Sequence, residues 1–145
     1  MTNPVKLIYH CSTGRLSGWA AALHLGGLSS DLSTLHPVFN RARMGRQPGE
    51  FVLVGTDDAG HEVYVWEHGR SLRIFAKAFA SMNEIFGLRP ATMFVDLNLP
   101  GFRRLGMIAM LNAFTAYDDT EILRWVRPEL EAVVQSTIQS LRERP

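Results

Sequence analysis

The residues Val5-Lys6-Leu7-Ile8-Tyr9 form a short, mostly apolar run of β-forming types, the pattern of a strand covered on both faces. A strand hidden on both sides belongs in a layered α/β architecture. The loop Cys11-Ser12-Thr13-Gly14 follows it, and then Leu16, Trp19, Ala20 and Leu23 recur at helical spacing up to Gly26-Gly27, a left-handed stop. The opening unit therefore reads as strand, tight loop, helix.

From Leu28 to Glu50 the serines, His36-Pro37 and Pro48-Gly49 predict a long loop with at most one helical turn. Phe51–Val54 and Val63–Trp66, separated by Asp57-Asp58-Ala59-Gly60, read as an antiparallel hairpin. Ser71 can cap a helix carrying Leu72, Phe75, Phe79, Met82 and Phe86, and Ala91–Asn98 reads as a core strand. Leu105, Ile108, Met110 and Leu111 mark a further helix, and Asp119 or Thr120 can cap one containing Ile122, Leu123 and Val126. Pro128 suits the first turn of a last helix, whose Leu130, Val133, Val134, Ile138 and Leu141 share one face. Strands interleaved with helices predict a single α/β domain over residues 1–145. Its mixed sheet, a parallel core plus one antiparallel hairpin, is flanked by helices. The order of the strands does not follow from the sequence.

The 145 residues are 46% hydrophobic and 20% charged with a formal net charge of +1, an ordinary globular balance that can bury a core without metals or disulfides. The near-neutral charge ranks nucleic acid and membrane surfaces last as partners. One cysteine forms no internal disulfide, which points to the cytoplasm. The apolar run Leu105–Leu111 is far short of a membrane span, so no membrane partner is expected.

In open α/β sheets ligands bind beyond the carboxyl ends of the strands, which directs attention to Cys11. A helix amino terminus there attracts anions and favours a thiolate. Cys11 is thus a candidate nucleophile, with Ser12, Thr13, Gly14, Arg15 and Ser17 around a bound phosphate. The plainer reading makes Cys11 a buried apolar side chain and the hydroxyls helix caps. Cysteine-dependent phosphatases carry an arginine six residues after the nucleophile, where this chain has Ser17, and the P-loop lysine is missing. Asp96, near the end of a core strand, is a candidate base. His10 and His24 are candidate supporting imidazoles. Strand alternation turns His10 away from Cys11, and His24 is placed to cap the end of its helix. Asp57 is expected to brace the hairpin turn. No histidine spacing suggests a metal, and no cofactor is implied. Arg41, Arg43 and Arg46 form a basic stretch that reads first as a solvated loop, as does Arg103-Arg104.

Tyr9-His10-Cys11, Gly14, Ser17 and Ala20-Ala21-Ala22-Leu23-His24-Leu25-Gly26 resemble the opening of a bacterial domain family of unknown function, found mainly in spore-forming Gram-positive bacteria. Its members begin YHC-x-GG-x-HSS and continue AAAIHLG. Gly55-Thr56-Asp57, Gly60 and Glu62-Val63-Tyr64 are similar to the family's G-x-D-x-x-G-x-E-V-Y segment. The resemblance covers about the first half of the chain and implies a shared fold without an activity. Thr13, Leu16 and Gly18 stand where the family has a second glycine, a histidine and a second serine, a loss of loop freedom and of two polar side chains.

Two functions follow from these readings. The first is a non-catalytic or catalytically reduced subunit that acts by assembly with a like or related subunit; the aromatics Phe39, Trp66, Phe102 and Trp125 exceed what a simple periodicity buries. The alternative is a protein or enzyme that binds phosphate or a phosphorylated metabolite at the Cys11 loop.

Overall fold

The computed structural model describes residues 4–11, 16–43, 51–67, 92–97 and 119–143. In chain order these form β1 (Lys6–Cys11), α1 (Leu16–Gly26), α2 (Leu32–Arg43), β2 (Phe51–Thr56), β3 (Glu62–Glu67), β4 (Thr92–Asp96) and α3 (Asp119–Glu143). The four strands make one sheet in the order β2-β3-β1-β4. β1 runs parallel to both neighbours, with Tyr9 opposite Val65 on one side and Val95 on the other, while β2 pairs antiparallel with β3. The expected α/β fold, with a parallel core plus one hairpin, is what the chain adopts.

Every residue of β1 after Lys6 is buried, as its apolar composition requires. Leu7, Tyr9 and Cys11 join Val63 and Val65 in a core closed by α1 and α3. Alternation sends Ile8 and His10 to the other face. α1 is buried from Leu16 through His24, so its nearly unbroken apolar sequence fits a helix wedged between the sheet and two other helices. It ends at Gly27, whose φ of 105° no other residue type adopts cheaply, with the Gly27 N–H bonded to the Leu23 carbonyl.

α2 corrects the expectation of a loop between Leu28 and Glu50. Asp31 caps it, accepting from the Thr34 N–H at 3.1 Å and from the hydroxyls of Ser33 and Thr34. Leu35, Val38, Phe39 and Ala42 then present one buried stripe. Phe39 stacks on Trp19 with ring centroids 3.9 Å apart. The prolines misled in both places. Pro37 lies inside α2, and Pro128 lies inside a single continuous α3 instead of opening a last helix. Each removes one backbone hydrogen bond, to the carbonyl four residues earlier. Those carbonyls belong to Ser33 and Arg124, both exposed residues, and a backbone group that solvent reaches costs little when it loses its partner.

α3 docks with Leu123, Val126, Leu130, Val134 and Leu141 against the core. Arg127 fixes its position, bonding the Leu28 carbonyl at 3.1 Å, the Ser30 carbonyl, and Glu131 at 2.7 Å. Phe39 and Trp66 are both buried within the chain, so neither aromatic is left over for a second subunit. Arg41 and Arg43 belong to the last turns of α2 and not to a loop. The helices expected after Ser71 and around Leu105–Leu111, with Arg46, His68, Phe102 and Arg103-Arg104, lie outside the described residues, as does the side chain of Trp125. Among the described residues no helix is long and apolar enough to cross a membrane.

Candidate functional site

At the carboxyl ends of the parallel strands, Cys11 is completely buried, and its thiol donates to the Ser17 hydroxyl at 3.5 Å. Ser17 is itself buried in the first turn of α1. Ser12, Thr13, Gly14 and Arg15 lie outside the described residues. His10 and Asp96 are paired across β1 and β4, with Nδ1 and Oδ1 4.0 Å apart. That pair sits on the face of the sheet opposite Cys11, as alternation requires. The candidate nucleophile and candidate base are therefore separated by the thickness of the sheet, while His10 and Asp96 are brought together.

Among the described residues the densest polar array lies elsewhere, where α1 ends beside the turn between β2 and β3. The Tyr9 hydroxyl lies 2.9 Å from His24 Nδ1, and His24 Nε2 lies 2.8 Å from Asp57 Oδ2. A carboxylate only accepts, so Nε2 carries the hydrogen. Burial drives the His24 pKa below its ordinary 6.5 against the opposing pull of Asp57, which leaves Nδ1 bare to accept from Tyr9. Burial also pushes the Tyr9 phenol well above its usual range, against a hydrogen bond with Thr137 that favours ionisation. Burial works against ionisation of Asp57 too, yet hydrogen bonds from His24 and the His61 backbone hold its carboxyl below the ordinary value.

Asp57 performs two tasks at once. Its Oδ1 accepts the N–H groups of Ala59 and His61 at 3.0 and 2.9 Å, the turn-bracing role expected of it. Its Oδ2 receives His24. The His24 ring does not cap the carbonyl end of α1, as anticipated, because both nitrogens are engaged by Tyr9 and Asp57. The array joins β1, α1 and the hairpin. Thr137, which donates to the Val133 carbonyl at 2.8 Å, extends it to α3.

Beside this array opens a cleft of about 240 Å³ between α1, the hairpin turn and the end of α3, with Leu25, Asp58, His61, Ile138 and Arg142 in its walls. His61 is buried, and its Nδ1 accepts the Val5 N–H at 2.9 Å. A backbone N–H only donates, so Nδ1 is the acceptor and the ring hydrogen of His61 is on Nε2. Among the described residues no group of three metal-ligating side chains occurs.

Sequence reasoning named His24 and Asp57 separately and passed over Tyr9 as a site residue. The three stand 15 and 33 positions apart, and only the fold joins them. The available signal was that each belongs to a segment carrying the family resemblance. No curated protein and no solved structure matches the chain. A family model described as "Protein of unknown function (DUF3189)" matches residues 6–114 and so spans β1 through β4, and the chain belongs to that family.

Proposed function

We propose that this protein is a non-catalytic subunit of the cytoplasm that acts by assembling with a second copy or a related chain. The observation that carries the reading is the placement of Cys11 and Asp96. The thiol is buried and bonded to Ser17, the carboxylate lies on the other face of the sheet, and no single substrate reaches both. Assembly is supported by β4, which forms one edge of the described sheet; edge strands are templates for pairing with another chain. Size-exclusion chromatography with light scattering tests this. A dimer or larger species, or a co-purifying related chain, is the expected result, and a monomer recovered alone overturns it.

A second reading, binding of phosphate or a phosphorylated metabolite, is favoured by one observation. The Ser17 hydroxyl, which accepts from the Cys11 thiol, lies at the junction of β1 and α1, where a helix amino terminus attracts anions. Thermal melts with phosphate, sulfate and phosphorylated metabolites test it against Cys11→Ser and Arg15→Ala. A shift of several degrees that falls in either variant supports this reading. No shift with any compound removes it.

A further inference from the structure

The cleft beside Tyr9, His24 and Asp57 presents unlike groups at close quarters. His61 is 3% exposed and has spent its Nδ1 on the Val5 N–H, so its Nε2 hydrogen is a donor with no acceptor among the described residues. Arg142, in the last turn of α3, adds an exposed guanidinium to the same wall. Asp57 already accepts three hydrogens, from His24, Ala59 and His61. Asp58 is the exposed carboxylate beside it. Leu25, Ile138 and Leu141 supply the apolar surface.

This lining selects by charge. A simple anion gains Arg142 and the His61 donor but meets two carboxylates. A simple cation gains Asp58 but meets Arg142 and leaves the His61 hydrogen unused. A molecule with both charges satisfies all of them. The volume of about 240 Å³ holds roughly eight waters, which suits a molecule the size of leucine or methionine. We propose that this cleft binds a small zwitterion with the chemistry of a free α-amino acid. Its carboxylate meets Arg142 and His61, its ammonium meets Asp58, and its side chain lies on Leu25, Ile138 and Leu141.

The test begins with thermal melts of the full chain against the standard free amino acids, followed by calorimetric titration with whichever gives the largest shift. Two analogues of that amino acid, one with the carboxylate amidated and one lacking the amino group, are titrated alongside it. So are the variants Arg142→Gln and Asp58→Asn, both at exposed positions, with circular dichroism to confirm that they fold. At a hundredfold excess over Kd the amino acid should raise the melting temperature by several degrees. Each analogue and each variant should bind about tenfold more weakly, the usual loss with one charge-assisted contact. Absence of a shift with every amino acid overturns the proposal. Binding of undiminished affinity in either variant, or with either analogue, also overturns it, because the ligand would then not be held at both charged ends.

Discussion

The two ends of the parallel strands are built on different principles. Around the hairpin turn, Tyr9, His24 and Asp57 bond one another at 2.8–2.9 Å, and β1, α1 and the hairpin meet through them. At the opposite end Cys11 bonds Ser17 at 3.5 Å and His10 stands 4.0 Å from Asp96, and these two pairs lie on different faces of the sheet. Packing joins the elements there as well, with Phe39 stacked on Trp19 and against the Gly18 backbone. A buried polar array is strong when complete and costly when one member is removed, whereas an ion pair with one partner exposed, as Asp96 is, contributes little. Among the described residues, the array that ties three elements together thus sits at the end away from the one that general α/β rules mark for ligands.

Four measurements bear on that contrast. His24→Ala should lower stability by about 3 kcal/mol in denaturant unfolding, because it strips the Tyr9 hydroxyl and the Asp57 carboxylate of their shared partner. A loss below about 1 kcal/mol would mean the array is incidental. Gly18→Ala tests packing at the other end. The new methyl would sit 3.0 Å from two ring carbons of Phe39, which Trp19 pins from behind. The expected cost is about 2 kcal/mol, and a neutral outcome would show that α1 and α2 can slide apart.

The third is a pH profile. Folded His24 resists protonation below its ordinary 6.5, so in that range the unfolded chain binds a proton that the folded one refuses. Stability from this residue is fully present above about pH 6.5 and is lost as the pH falls towards the folded value. Asp57, held below 3.8, adds a second loss in stronger acid. Urea midpoints measured across this range should fall in the natural protein, and His24→Gln should lack the first decline. A decline of equal size in that variant would assign it elsewhere. The smallest effect belongs to Asp96→Asn. With the carboxylate 57% exposed, its removal should change stability by under about 0.5 kcal/mol; a larger loss would make the two ends alike.

Much of the fold was legible because period and turn chemistry agree with it. β1, α1 with its glycine stop, the hairpin and β4 all carry local signals that tertiary packing reinforces. α2 was obscured because His36-Pro37 and the serines before it outweighed the Leu35, Val38, Phe39, Ala42 stripe. Pro128 hid the continuity of α3 in the same way. In both helices the proline falls where the residue four positions earlier is exposed, a tertiary property that the local sequence does not carry. The Tyr9, His24 and Asp57 array was illegible for a different reason. Each residue has an adequate local account, and their convergence depends on α1 returning along the sheet to the hairpin.

The central place of β1 also governs how the molecule is made. Lys6–Cys11 leaves the ribosome well before its two neighbours, Glu62–Glu67 and Thr92–Asp96. At translation rates of about 5–20 residues per second the second neighbour arrives on the order of ten seconds later. Through that interval the most deeply buried of the described strands waits with both backbone edges open, a template for wrong pairing. Slower elongation lengthens the exposure, so the yield of native protein should depend on synthesis rate and on holding chaperones more than its final stability implies.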